Sequence, residues 1–302
     1  MNTDIDLRLL RYFVAVAEEL HFGRAALRLH IAQPPLSQQI KLLEQNLGHS
    51  LLVRTSRSVA LTPAGSELLE RSRRLLSRFD EDIAAVRRVG RGELGTLTIA
   101  FTGSAILTDA LPEAIRTYRR EYPEVDLRLR ELRTMLQIDA LREASIDLGF
   151  LRDPGPFEGL VIQELQREPY LVVLPSRHPL ARLRTVPVRK LRGEPFIFHS
   201  RSAGPLAYDR TMAVCQEAGF LPEIVQEAPQ WPTAIRLVES GLGVSIVPRC
   251  VAKLETMGVV FRPINARGAF TEVSLGYRDE PLTATALEFV RLSKAAFGRR
   301  TK

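Results

Sequence analysis

Hydroxyl-bearing and cationic side chains gather just after several predicted strands, in positions where they could bind an anion. In open α/β sheets, ligands bind beyond the carboxyl ends of the strands. Hydroxyls and backbone amides at helix starts, together with arginines, suit a carboxylate or another small anion. Ordinary helix capping is the alternative for each hydroxyl residue taken singly. The candidate ligand-binding residues are Thr102, Gly103, Ser104, Thr134, Arg152, Ser200, Arg201 and Ser202.

A second group of residues, near the N-terminus, could bind nucleic acid. Between His21 and Arg78 the chain carries nine basic residues against three acidic ones. Gln38 can form two hydrogen bonds with adenine, and Lys41 can reach a phosphate or a guanine. Two arginines flank a predicted hairpin tip, where a guanidinium suits phosphate or a narrow minor groove. A merely solvated surface is the alternative for this group, whose members are Gln33, Pro35, Ser37, Gln38, Lys41, Arg54 and Arg57.

The elements that must position the second group form a compact pattern. Apolar residues recur at three- and four-residue steps in three successive stretches, which predicts three amphipathic helices. Pro34 and Pro35 can begin the third helix, because the first helical amides need no intrahelical partner. Gly48 predicts its end. The predicted elements are helices over about residues 5–19, 22–30 and 34–47, and strands over 51–54 and 59–61. Three helices and a small hairpin make a winged helix-turn-helix, whose third helix enters the major groove.

A long helix follows this module. Pro63 suits a first helical turn, with Thr62 as its N-cap, and no helix breaker appears before Gly90. Apolar residues from Leu68 to Val89 are spaced by three, four and seven, which predicts a helix of roughly 40 Å at 1.5 Å per residue. Such a long helix with one apolar stripe favours pairing with a second copy. The alternative is a helix in the core of a single domain.

The remainder of the chain predicts an α/β fold. After Gly95, apolar or alternating runs that indicate strands are separated by amphipathic stretches that indicate helices. This alternation favours mostly parallel sheets, at whose strand ends the first group of residues would lie. The predicted strands are 97–101, 125–132, 148–151, 170–174, 196–198, 244–247 and 273–277, and predicted helices are 111–122, 136–144, 208–218 and 232–240.

Composition and missing motifs exclude several classes of protein. At 302 residues with 45% hydrophobic content, the chain predicts a folded, multidomain protein. The first residues lack a secretory signal, no apolar run is long enough to span a bilayer, and there are two cysteines, so we expect a cytoplasmic protein without disulfides. Neither a catalytic signature nor metal-ligand spacing is present. We therefore expect no enzyme, cofactor or metal. A redox switch between Cys215 and Cys250 remains an alternative to packed thiols.

The chain resembles the LysR-type transcriptional regulators over essentially its whole length. The motifs in the first part are FVAVAEELHFGRAALRLHIAQPPLSQQIKLLEQNLGHSLLVR and RSVALTPAGSELL. Farther on, the matching segments are GTLTIAF, LPEAIRTYRREYPEVDLRLRE, ALREASIDLGF, RHPLA and VESGLGVSIVP. Gln38 departs from the family, where many members carry Arg, and this departure favours an adenine-containing step in the operator.

The resemblance implies an organisation. Residues 1–62 would be the DNA-binding domain, 63–92 a linker helix and hinge, and 93–302 an effector-binding domain like the periplasmic binding proteins. Its subdomains would comprise 93–163 with 267–302, and 164–266. Homotetramers built as dimers of dimers are usual in the family. In members that answer to aromatic-catabolic acids, the effector carboxylate is held at positions that match Ser104 and Thr134, and the segment 199–206 supplies the other side of the cleft.

The resemblance therefore implies a regulator of transcription. We expect a tetramer that binds and bends duplex DNA, and a small carboxylate effector that shifts subunit packing so that RNA polymerase can engage. A solute-binding protein of a transport system is one alternative, although it would need an export signal and would not need residues 1–62. An enzyme whose α/β domain converts the ligand is the other.

Overall fold

The computed structural model describes residues 5–55, 58–254, 256–266 and 268–299. The chain forms two compact units, the first ending at Arg87 and the second beginning at Arg88. Arg57, one of the predicted DNA-binding residues, lies outside the described residues.

The described part of the first unit contains three short helices, a two-stranded hairpin and most of a long helix, as predicted. Its core is formed by one apolar face from each short helix, and Phe13, Leu36, Ile40 and Leu43 are completely buried. The elements are α1 Leu7–Glu19, α2 Phe22–Arg28, α3 Gln33–Leu47, β1 Leu52–Arg54, β2 Val59–Leu61 and α4 Pro63–Gly90.

Local chemistry fixes where these helices begin and end. The Asp6 side chain accepts a hydrogen bond from the Leu9 amide at the start of α1, and His21 caps α2 through Nδ1. Gly48 ends α3 with φ +72°, a conformation that glycine adopts without strain. Gly65 admits the hairpin against α4, because a Cβ atom there would lie 2.1 Å from the Leu51 carbonyl oxygen.

The long helix α4 leaves much of its apolar stripe exposed. The exposed fractions are 49% for Leu75, 37% for Phe79, 38% for Ile83, 69% for Val86 and 52% for Val89. A stripe of this length on a charged helix is typical of a surface that packs against another helix.

The second unit contains a large sheet, a small two-stranded sheet and five helices among its described residues. The large sheet runs in the order β4-β3-β5-β12-β6-β11-β7, with β10 also paired to β6, and the small sheet pairs β8 with β9. Its strands are β3 Gly95–Phe101, β4 Val125–Glu131, β5 Leu148–Arg152, β6 Leu160–Pro175, β7 Val186–Pro187, β8 Pro195–Phe198, β9 Glu223–Glu227, β10 Ser245–Pro248, β11 Val259–Asn265 and β12 Phe270–Arg278. The helices are α5 Ala110–Glu121, α6 Thr134–Arg142, α7 Pro205–Glu217, α8 Trp231–Glu239 and α9 Ala284–Gly298.

Strand β6 connects two lobes of this unit. Residues 160–169 pair with β12, whereas residues 170–175 pair with β10 and β11. Lobe I contains β3, β4, β5, β12, α5 and α9 around one core, and α6 covers a second, smaller cluster that includes Ala140 and Leu141. Lobe II contains β7 to β11, α7 and α8 around two further cores.

The prediction of mostly parallel sheets is wrong in lobe I and at the crossing. Strand β3 is parallel to β4 and β5, but β12 is antiparallel to both β5 and β6, and β10 and β11 are antiparallel to β6. The sheet is mixed because the chain returns from lobe II into lobe I through β12, which runs beside β6 in the opposite direction.

Candidate functional site

A cavity of about 690 Å³ opens in the second unit between the two lobes. Five of the predicted ligand-binding residues line it, all from lobe I, namely Thr102, Gly103, Ser104, Thr134 and Arg152. They come together because β3, β4 and β5 are adjacent and parallel, so their carboxyl ends share one edge of the sheet.

Three helices begin at this cavity. Thr134 of α6, Gly204 at the start of α7, and Gln230 with Trp231 at the start of α8 all line it. None of these helices has a side-chain cap at its N-terminus. The first amides of a helix lack intrahelical partners and carry partial positive charge, so helix starts bind anions. The cavity therefore offers backbone amides to an anionic group from both lobes.

Arg152 faces the cavity as one half of a buried ion pair rather than as a free cation. Its side chain is 6% exposed, and Nη1 donates to Glu168 Oε1 at 2.6 Å. Glu168 also accepts a hydrogen bond from the Cys250 amide at 2.9 Å. Because the carboxylate balances the guanidinium, Arg152 contributes little net charge to the cavity.

The same arginine fixes the state of two hydroxyls. Arg152 Nε donates to Ser104 Oγ at 3.1 Å, so the hydroxyl hydrogen of Ser104 is directed to another acceptor; its contact with Thr102 Oγ1, at 3.5 Å, is long, and a ligand can replace it. The Thr134 hydroxyl donates to the Arg152 carbonyl oxygen at 3.1 Å and accepts from the Arg152 amide at 3.2 Å. Thr134 can therefore offer a ligand its backbone amide, whereas its hydroxyl hydrogen is already engaged.

Three predicted ligand-binding residues lie outside the cavity lining. Ser200 and Ser202 share a hydrogen bond at 3.0 Å, and the guanidinium of Arg201, 64% exposed, pairs with Asp209. The backbone forms a 3₁₀ turn over Arg201–Ala203, in which successive side chains point in different directions. As a result, the residues on either side of Ser200–Ser202 line the cavity instead, namely His199, Ala203 and Gly204.

The aromatic part of the wall is absent from the predicted ligand-binding residues, although His199 follows a strand directly, as several of those residues do. The rings of His199 and Trp231 lie 5.7 Å apart, and Tyr208 packs edge-on against His199 at 5.9 Å. The sequence carried a signal for both rings: His199 follows a predicted strand directly, and Trp231 directly precedes Pro232 at the start of a predicted helix. Burial lowers the pKa of His199 to about 4, so the imidazole is neutral at physiological pH.

Acid is expected to destabilise the second unit through His199. The unfolded chain binds more protons than the folded chain between pH 6.5 and about 4. The contribution of the neutral His199 side chain to the free energy of unfolding is therefore complete above pH 6.5 and is lost as the pH falls towards about 4. The loss amounts to at most about 3 kcal/mol. Urea unfolding followed by fluorescence of Trp231, the single tryptophan, measures it at about pH 7 and about pH 4.5. The variant His199→Phe should lose less stability on acidification; equal losses in both proteins would contradict the prediction.

The two thiols are packed side chains. Cys215 and Cys250 are both buried, and burial raises the pKa of each to about 12. A thiol is nucleophilic only as the thiolate. This environment therefore disfavours a redox switch between them.

In the first unit, α3 presents a polar face on the side opposite its buried stripe. Gln33, Pro35, Gln38 and Lys41 are exposed, and Ser37 is half-buried. Leu36, Ile40 and Leu43 on the other side are completely buried. This is the division expected of a helix that packs on one side and enters a major groove on the other.

Arg54 is engaged with the recognition helix. Its guanidinium donates to Glu44 Oε2 at 3.2 Å and to Ser37 Oγ at 3.4 Å, and it stacks over the Phe22 ring at 4.6 Å. These contacts tie strand β1 to α3. Arg54 therefore positions the hairpin, in addition to any contact that it makes with phosphate.

Among the described residues, no group of three or more His, Cys, Asp or Glu side chains could hold a metal ion. No helix in that part of the chain has the length and apolar character needed to cross a membrane.

Two family models match the chain and together cover most of it. The model for "Bacterial regulatory helix-turn-helix protein, lysR family" matches residues 7–66, and the model for "LysR substrate binding domain" matches residues 90–298. These matches coincide with the helix-turn-helix and with the two-lobed unit described above.

Curated relatives and solved structures agree over nearly the full length. The chain is 44% identical over 272 residues to the uncharacterized HTH-type transcriptional regulator YnfL of Escherichia coli, covering 90% of this chain and 92% of that one. It is 40% identical over 289 residues to the HTH-type transcriptional regulator AlsR of Bacillus subtilis, covering 96% and 95%. The structure of full-length CbnR complexed with its target DNA matches with a TM-score of 0.81 and 28% identity, covering 97% of this chain and 100% of that one.

The predicted resemblance and fold class are thereby confirmed, and the alternatives of a transport protein and an enzyme are set aside. The chain belongs to the LysR family of DNA-binding transcriptional regulators.

Proposed function

We propose that the cavity between the lobes binds a small carboxylate, which controls the regulator's activity. The observation that supports this proposal is the convergence of three uncapped helix starts on one cavity. A carboxylate can accept hydrogen bonds from the free amides, and the Ser104 hydroxyl can donate a further one. Since the Arg152 charge is balanced by Glu168, these dipoles supply most of the attraction for the anion.

The aromatic part of the cavity wall indicates the chemistry of the effector beyond its carboxylate. His199, Trp231 and the aliphatic side chains of Leu107, Leu132 and Leu254 line the cavity. Flat apolar surfaces of this kind suit an organic acid with an aromatic or unsaturated body. The proposed effector is therefore an acid of the type that arises in aromatic catabolism.

Loss of the Ser104 hydroxyl is expected to weaken effector binding by roughly tenfold, the effect of one hydrogen bond to a charged group. The effector is first found by a thermal-shift screen of aromatic acids, dicarboxylates and amino acids, because a ligand of the native state raises its apparent stability. Titration calorimetry of the best acid then compares Ser104→Ala and Thr134→Ala with the parent protein. The effect of Thr134→Ala should be smaller, since that residue would contribute its amide. Unchanged affinity in both variants would rule out this site.

We further propose how the parts cooperate. Residues 1–62 read duplex DNA through Gln33, Pro35, Ser37, Gln38 and Lys41, with Arg54 and Arg57 at the hairpin. Residues 63–92 pair with a second copy, and residues 93–302 sense the effector. The assembly is a cytoplasmic homotetramer, and effector binding changes the bend of promoter DNA so that RNA polymerase engages. Footprints and bend angles that do not change with the bound effector would refute the coupling while leaving DNA binding intact.

A further inference from the structure

Lobe II carries a dense patch of exposed cations that the proposed function does not use. Six basic residues fall between positions 177 and 192, and no acidic residue occurs between positions 169 and 193. All six are exposed. The 177–192 patch consists of Arg177, Arg182, Arg184, Arg189, Lys190 and Arg192.

These cations lack ion-pair partners among the described residues, whereas many other arginines of the chain have them. On α4, for example, Arg71 pairs with Glu67 at 2.7 Å and Arg78 pairs with Asp82 at 3.2 Å. Arg192 donates a hydrogen bond to the Gly219 carbonyl oxygen at 2.7 Å, and because a carbonyl carries no net charge, the guanidinium remains unbalanced. Unbalanced like charges repel one another, so an external anion bound at the patch would relieve this repulsion.

The backbone beneath the patch is anchored. Val186, Val188 and Leu191 are essentially completely buried, and Val186 pairs with Ile264 where β7 lies at the edge of the large sheet. The charges are therefore displayed from a fixed scaffold of two 3₁₀ turns and a short strand, Pro179–Arg182, Val188–Leu191 and β7.

The surroundings favour a polyanion over a protein partner. Protein interfaces are centred on exposed aromatic or aliphatic anchors. Among the described residues, none of the exposed large hydrophobic side chains lies within positions 177–192. Leu221 and Met257 are exposed only at the two ends of the patch, beside Gly219, which accepts a hydrogen bond from Arg192, and Gly258, which accepts one from the Ser176 amide, so no apolar anchor lies at its centre. Arginine is well suited to phosphate, because its planar guanidinium donates two parallel hydrogen bonds.

We propose that the 177–192 patch binds the phosphate backbone of duplex DNA outside the sites read by α3. Contacts of this type are independent of sequence and release counterions, so they strengthen the salt dependence of binding. The other reading of edge-strand cations is protection of the sheet edge against pairing with other chains. That reading predicts aggregation when the charges are removed and no change in DNA binding.

The test uses the full-length protein and a duplex that it selects from a random pool. This duplex is made in two lengths: a trimmed form that ends at the protected half-sites, and an extended form with about five more helical turns on each side. The patch variant carries Arg182→Gln, Arg184→Gln, Arg189→Gln and Lys190→Gln. The control variant removes the same charge from exposed positions of lobe I through Arg116→Gln, Arg119→Gln, Arg130→Gln and Lys294→Gln. Each contact with phosphate contributes about 0.9 to the slope of log affinity against log salt concentration.

We expect the patch variant to reduce this slope by about 2 to 4 on the extended duplex and to leave it unchanged on the trimmed one. The control variant should match the parent protein on both. If the patch variant unfolds, the pair Arg189→Gln and Lys190→Gln should reduce the slope by about 1 to 2. An unchanged slope on the extended duplex, an equal reduction in the control, or loss of polymerase recruitment with DNA binding intact would overturn the proposal. Binding to the trimmed duplex reports separately on the helix-turn-helix.

Discussion

Replacement of Arg152 by methionine is expected to lower the free energy of unfolding of the second unit by about 3–5 kcal/mol. The substitution leaves Glu168 with a side chain 5% exposed and without its cation, and an uncompensated buried charge is strongly destabilising. It also removes the donor that orients the Ser104 hydroxyl. Urea unfolding at neutral pH, followed by the fluorescence of Trp231 in the cavity wall, measures the change.

The double variant Arg152→Met with Glu168→Gln separates charge from packing. Glutamine keeps an oxygen that can accept the hydrogen bond from the Cys250 amide, now 2.9 Å from Glu168 Oε2. Because this variant buries no net charge, it should recover at least about 1.5 kcal/mol relative to Arg152→Met alone. A loss below about 1 kcal/mol in Arg152→Met would show that the ion pair does not stabilise this unit. The same would follow if the loss in the double variant equalled the sum of the losses in Arg152→Met and Glu168→Gln measured separately.

Acidic residues in the apolar stripe of α4 are expected to prevent self-association and to weaken operator binding at least about 100-fold. In the variant Phe79→Glu with Ile83→Glu, each helix pair would bury four like charges, whereas the native side chains are 37% and 38% exposed in the single chain. Operator binding falls because linked readers gain affinity from one another, and separated readers lose that gain. Light scattering after size-exclusion chromatography measures the mass, and fluorescence anisotropy measures the affinity.

The control places the same two charges on the face of α4 opposite the stripe. Ser77 and Ala84 are both exposed on α4, so Ser77→Glu with Ala84→Glu changes the helix charge equally without entering the apolar stripe. This control should retain the parent mass and affinity. An unchanged mass in the stripe variant would show that the chain assembles through another surface.

The features that sequence could predict are those that repeat locally. The three-residue steps in α1 to α3, the Gly48 stop and the long stripe of α4 are set by nearby residues, and the structure has them. The strand ends that carry Thr102, Ser104 and Thr134 were also predictable, because parallel neighbouring strands bring their carboxyl ends together whatever the details of the loops.

The features that escaped prediction depend on residues far apart in the sequence. Residues 163–169 of β6 include Glu164, Gln166 and Arg167 and give no apolar run, yet they form a strand because β12 pairs with them. The sequence predicts Arg152 as a cation that binds the ligand. Its partner Glu168 lies on the following strand, β6, and the sequence gives no sign that the two side chains meet. The turn at Arg201–Ala203 decides which side chains face the cavity, and propensity does not specify its direction.

The uninterrupted course of β6 constrains how the two lobes can move. A protein whose lobes are joined by loops can close by swinging about a few residues. Here the strand keeps neighbours on both sides of the crossing, with Pro169 opposite Phe270 and Tyr170 opposite Pro248. A swing at one point would break that ladder, but a small change of strand twist spread over many residues would not. The lobes are therefore joined by a strand that can change its twist but cannot bend at one residue, and we expect the proposed effector to act through a small change in that twist.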